Sequence, residues 1–138
     1  MNRVEAVCAR VVSAVPGAVA CGVVQFAGPK LLGVHNEVTG KSTLDEVVVT
    51  GVVDMFRSPK VAMVERGVRA QRSVPEDGEH YFQEIQIVSR HNLHFTKASE
   101  DGRLAIMLVT KKYTDKELAW SVVRAGVPLS IKNRRLYL

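Results

Sequence analysis

Two kinds of apolar pattern run along the chain. Positions 18–26 (AVACGVVQF) and 104–109 (LAIMLV) are apolar on both alternating faces. That pattern predicts strands buried on both sides, and hence central in a sheet. Positions 81–89 alternate instead, with Tyr81, Ile85 and Ile87 on one face and Glu84 and Gln86 on the other. This is the pattern of a half-covered strand, placed at an edge. Shorter strands are read at 31–35, where Pro29 stands at the start, and around Leu93 and Phe95. Asp101-Gly102 supplies a hairpin turn before the last strand. Helical spacing sets in at 2–13, where Val4, Cys8, Val11 and Val12 share a side and Pro16-Gly17 follows as a turn. It returns at 114–125, where Thr114 and Glu117 have the spacing of a capping box. Gly126 and Pro128 are expected to end that last helix near Ala125.

The stretch 42–57 (STLDEVVVTGVVDMFR) reads as a helix with more apolar surface than one sheet face needs. Ser42 or Thr43 can cap it, and Asp45 and Glu46 suit its first turn. Leu44, Val48, Val52 and Met55 make the straightest row and are assigned to the sheet. Val49, Val53 and Phe56 are assigned to the opposite flank and to a partner helix, with Gly51 permitting close approach. Tyr81, Ile85 and Ile87 add an edge-to-edge strand pairing, which completes the expected dimer interface. Ser58-Pro59 opens a further helical segment to Gln71, and 73–80 is a polar loop. Taken together the pattern predicts an α/β (α+β) chain: one five-stranded, mostly antiparallel sheet with helices on both faces. The expected division is a domain over 1–128 and a basic tail over 129–138.

A length of 138 residues and 46% apolar content fit one domain with its own core. Cys8 and Cys21 are too few for a disulfide framework and suit a reducing, cytoplasmic setting. No apolar run approaches a membrane span. Arg3, the apolar stretch from Val11 and Ala18-Val19-Ala20-Cys21 mimic a lipoprotein signal, but Glu5, Arg10 and Pro16-Gly17 interrupt it. The net charge of +5 is clustered. Window 57–72 holds Arg57, Lys60, Arg66, Arg69 and Arg72 against Glu65 alone, and 124–138 holds Arg124, Lys132, Arg134 and Arg135 with no acid. Such clusters favour an acidic surface, phosphate or an anionic membrane. Arg66, Arg69 and Arg72 are the residues assigned to a partner.

Gly40-Lys41-Ser42 before a helix imitates a phosphate-binding loop, but the pattern needs glycine where His35 stands, and Glu37 carries the wrong charge. Neither binding nor hydrolysis of a nucleotide is expected. His91 and His94 are three apart on a strand and point to opposite faces, so with His80 and Glu84 they do not converge on a metal. The cysteines lie in apolar patterns as packing residues, and no G-x-S-x-G elbow is present. The bases are not interleaved with aromatics as on a nucleic-acid platform. No catalytic residue, metal or cofactor is expected.

Val15-Pro16-Gly17-Ala18-Val19, the 42–57 helix and the run from Glu84 to Lys112 (EIQIVSRHNLHFTKASEDGRLAIMLVTKK) resemble the roadblock domain family of dynein light-chain roadblock proteins and bacterial gliding-motility regulators. The resemblance implies a profilin-like sheet in the order 2-1-5-4-3. It implies a homodimer built on the central helix and third strand, and a non-enzymatic module that binds Ras-like small GTPases or their regulators. In that family some members act as GTPase-activating proteins that contribute no catalytic arginine. The 58–80 connection is longer than the family's, and the basic tail has no counterpart there. Two other functions stand beside this one: a small-molecule sensor of similar topology, marked by polar groups lining an apolar pocket, and a basic nucleic-acid or membrane adaptor, marked by steep salt dependence.

Overall fold

The computed structural model describes residues 2–37, 51, 54–56, 59–72 and 83–132. Helix α1 (Arg3–Ala14) is capped by Asn2, whose Oδ1 accepts from the Glu5 amide at 2.7 Å. Strands β1 (Ala18–Gln25) and β2 (Lys30–Asn36) follow as an antiparallel pair. Helix α2 (Pro59–Arg72) comes next, then β3 (Glu84–Val88), β4 (Asn92–Ala98), β5 (Leu104–Lys111) and helix α3 (Lys116–Lys132). The strands form one sheet in the order β2-β1-β5-β4-β3, each pair antiparallel. The two strands read as doubly buried, β1 and β5, lie side by side inside it, and the strand read as half-covered, β3, is at an edge.

One face of the sheet is covered by α1 and α3. Val4, Cys8, Val11 and Val12 of α1 meet Cys21, Val23, Phe95, Ile106 and Leu108 beneath Ala119 and Val123 of α3. Helix α1 lies so low on β2 that a Cβ on Gly33 would come within 2.8 Å of Val4 Cγ1, which only glycine avoids. The other face carries a second core of Ala20, Val24, Phe26, Ala98, Ala105, Met107 and Val109, closed by Phe56 from the helical segment 54–56. Phe56 is 1% exposed and meets Phe26 edge-to-face, with ring centroids 5.6 Å apart.

A tie between distant segments fixes the end of the sheet. Gly17 turns with φ +89°, in the left-handed region. Its carbonyl accepts from the Lys111 amide at 2.9 Å, and Thr114 Oγ1 donates to the Pro16 carbonyl at 3.2 Å. Thr114 is therefore not the cap of the last helix. Asp115 has that role, its Oδ1 accepting from the Leu118 amide at 3.1 Å.

The last helix also does not stop near Ala125. It continues through Gly126 and Pro128 to Lys132, so part of the stretch read as tail is helical. Gly126 is kept by packing: a Cβ there would sit 3.2 Å from Ile106 Cδ1 and 3.4 Å from Val11 Cγ2. Among the described residues no helix is long and apolar enough to cross a membrane, and no cluster of metal-ligating side chains occurs.

Candidate interaction surfaces

Edge strand β3 presents two different sides. The Ala98 amide donates to the Gln83 carbonyl and the Ser89 amide to the Asn92 carbonyl, both at 2.9 Å. With the β3–β4 register, this alternation turns the backbone groups of Ile85 and Ile87 toward β4. The amides and carbonyls of Glu84, Gln86 and Val88 then point outward, where no described strand pairs with them. Ile85 and Ile87 lie half-buried on the Phe56 face, and Ile85 packs against that core. They head two rows across the sheet: Ile87, His94, Val109, Ala20, and Ile85, Thr96, Met107, Gly22. Burial lowers the pKa of His94, which keeps the ring neutral beside Ser89, whose Oγ lies 3.4 Å from Nε2.

On the opposite face, α3 clamps the same strand. Arg124 Nε and Nη2 donate to Glu84 Oε2 and Oε1 at 2.6 and 2.8 Å, a bidentate pair that Lys97 joins at 3.8 Å. The Arg124 hydrogen bonds hold the Glu84 carboxyl below its ordinary pKa. Arg124 also lies over the Trp120 ring at 5.2 Å, and Trp120 Nε1 donates to Gln86 Oε1 at 3.0 Å. Phe95 supports the indole from below, its ring perpendicular at 5.2 Å. Strand β3 is thus tied to α3, while no described strand pairs with its outer edge.

The residues assigned to a dimer interface divide. Gly51 is helical, exposed, and has open space where a Cβ would stand. Phe56 is a correction: it faces its own sheet as a core residue, not a partner helix, because its ring fills the pocket over Phe26 and Met107. Val49, Val53 and Tyr81 lie outside the described residues, as do Gly40-Lys41-Ser42, His80 and the 73–80 loop. Arg66 and Arg72 are exposed on α2, with Arg69 between them in the helix. Sequence reasoning missed the Glu84–Arg124 and Gln86–Trp120 contacts altogether.

A depression of about 490 Å³ opens at the end of α1, lined by Val12, Val15, Val19, Glu37, Lys111 and Tyr113 among others. Its charged groups, Glu37 and Lys111, are exposed side chains at the mouth, not polar groups set inside an apolar pocket. Cys8 and Cys21 are fully buried packing residues, and the Cys8 thiol beside Cys21 together with burial holds the Cys21 pKa well above its ordinary value. This is the reverse of an activated nucleophile.

No family model and no curated protein matches the sequence. Solved structures do match in shape. A Roadblock/LC7 domain from Streptomyces avermitilis superposes with a TM-score of 0.64 at 11% identity, covering 95% of this chain and 97% of that one. Myxococcus xanthus MglB superposes at 0.69 with 14% identity, over 96% and 95%. An MglB with a tetrameric arrangement gives 0.67 at 13% identity, over 91% and 82%. The resemblance read from the sequence therefore holds at the level of fold: five antiparallel strands in the order 2-1-5-4-3 with helices on both faces, as in roadblock structures.

Proposed function

We propose that this chain is a self-associating, non-enzymatic interaction module that binds or regulates a Ras-like small GTPase or its regulators. The observation that carries the self-association is β3: a rigidly braced edge strand whose Glu84, Gln86 and Val88 backbone groups have no described partner strand. An edge left open in this way is a template for a second strand, and a second copy satisfies both edges at once. Gly51, exposed and with open space beside it, marks where the neighbouring helix of a second copy can come close. The tetrameric MglB lends support, as a protein of this fold that assembles with itself. The class of partner rests on the resemblance to roadblock proteins.

Gly51→Glu tests the reading directly. The new side chain fits the lone protomer, where replacing a helical glycine removes a cost of up to about 1 kcal/mol. At a helix–helix contact it buries an unpaired charge and blocks close approach. Light scattering should report a dimer for the parent chain and a monomer for the variant, with unchanged circular dichroism. A parent chain that is monomeric at high micromolar concentration refutes the self-association. For the partner, affinity capture from the source cells with GDP or a non-hydrolysable GTP analogue should retain a small GTPase in a nucleotide-dependent way. Retention of none under either nucleotide refutes the GTPase reading.

A further inference from the structure

The chain's two cysteines meet in the core under α1. Cys8 stands on α1 and Cys21 on β1, and both are free and fully buried. Helix α1 lies low over Gly33, where Val4 leaves no room for a Cβ. Cys8, one turn after Val4, reaches the strands below, and its Sγ donates to the Gly33 carbonyl at 3.9 Å. Gly33 is paired with Val23, and Cys21 is two positions from Val23 on β1, so its side chain is on the same face under α1. There the Cys8 and Cys21 thiols are hydrogen-bonded to each other. Two thiols in contact on separate elements can do what two alanines cannot, which is to bond covalently.

We propose that Cys8 and Cys21 are a redox latch: a small disulfide oxidises the pair when α1 lifts from the sheet, and the new Cys8–Cys21 bond then holds α1 down. The latch does not depend on the self-association or the partner proposed above. Sulfurs in hydrogen-bond contact stand about 2 Å farther apart than bonded ones, so the bond asks for only a short approach. With α1 seated the pair is sealed. Neither side chain reaches solvent, and the neighbouring thiol together with burial keeps Cys21 in its unreactive protonated form. Lifting α1 exposes both. One thiolate then attacks oxidised glutathione and expels one glutathione thiolate, leaving a mixed disulfide on the protein. The second cysteine displaces the other glutathione, and the protons from the two cysteines end on the two glutathiones. Two protein thiols are oxidised and one small disulfide is reduced. The closed loop joins positions 8 and 21, and it removes conformations chiefly from the unfolded chain.

The test incubates the full, folded chain with oxidised glutathione. The parent should lose about 2 Da, and a non-reducing digest should link the peptides that carry Cys8 and Cys21. Its Tm should rise by roughly 10 °C and return with dithiothreitol. Cys8→Ala and Cys21→Ala should show no such rise. Either replacement can weaken the core, so the deciding measurement is made on the parent. Its dithiol–disulfide equilibrium with glutathione, read in buffer and in urea, should favour the disulfide roughly hundredfold more in the folded chain. Asn2→Ala, which removes the cap of α1 at an exposed position, should speed oxidation at least about twofold. A parent that stays a dithiol, that carries only glutathione adducts, or that links to a second copy overturns the latch. So does a disulfide no more favoured in the folded chain than in urea. An oxidation rate untouched by Asn2→Ala overturns its gating by α1.

Discussion

Replacing Phe56 by alanine separates a core residue from an interface residue. The ring is 1% exposed and closes the second core over Ala20, Val24, Phe26 and Met107. Its loss removes the transfer free energy of the ring and leaves a cavity between a sheet and a helix, which cannot collapse onto each other freely. Core Phe→Ala changes cost about 3–5 kcal/mol. The edge-to-face contact with Phe26 supplies roughly 0.5–1.5 kcal/mol of that beyond area. For a chain of this size each kcal/mol moves Tm by roughly 3–5 °C, so a drop of roughly 10–20 °C is expected. The assay is urea and thermal unfolding followed by circular dichroism at about 2 and about 200 µM protein. A core defect lowers stability by the same amount at both concentrations relative to the parent. A residue at a contact between copies would instead show a deficit that grows with concentration, together with a lower association constant. A loss under about 1 kcal/mol, or a purely concentration-dependent one, refutes the placement of Phe56 in the core.

Gly17→Ala should destabilise by at least roughly 1–2 kcal/mol from the left-handed backbone alone, and further because its Cβ would overlap Thr114 Oγ1. A urea midpoint equal to the parent's would refute this. Glu84→Gln tests the clamp on β3. Arg124 holds the Glu84 pKa down in the folded state, so the unfolded chain binds that proton more tightly. The pair's stabilisation is present above the ordinary carboxylate range and disappears as pH falls through the lowered value. The variant should show a flatter acid limb in urea midpoints measured between about pH 3 and 6, and an unaltered limb would show that the pair contributes nothing to acid stability.

The sheet was legible because its signals are local. Two strands apolar on both faces can only be interior, and β1 and β5 are interior. The alternation at Glu84, Ile85, Gln86 and Ile87 placed β3 at an edge for the same reason. Errors came where two local rules competed. Phe56 stands four residues after Val52, which belonged to the row assigned to the sheet, yet the straighter row through Met55 displaced it to the far flank. Thr114 and Asp115 both suit a helix cap; the choice was made by Pro16, 98 positions away, which takes the threonine hydroxyl. Gly126 and Pro128 are stop signals by composition, but at Gly126 the glycine serves a close contact with Ile106 and Val11. The Glu84–Arg124 and Gln86–Trp120 pairs, 40 and 34 residues apart, exist only because α3 crosses the edge strand. No spacing rule reaches that far.

The strand order also dictates how the chain must assemble. Strands β1 and β2 are neighbours in sequence, as are β3 and β4, so each hairpin closes a short loop at small entropic cost. Neither hairpin touches the other until β5 slides between β1 and β4. The keystone is thus synthesised late, and the tie from Lys111 and Thr114 back to Gly17 and Pro16 spans most of the polypeptide. Until β5 joins, β1 and β4 each lack the inner neighbour that they have in the finished sheet. An unpaired strand is a template for strands of other copies, so the interval before residue 104 is made is one in which mispairing between chains can compete with folding.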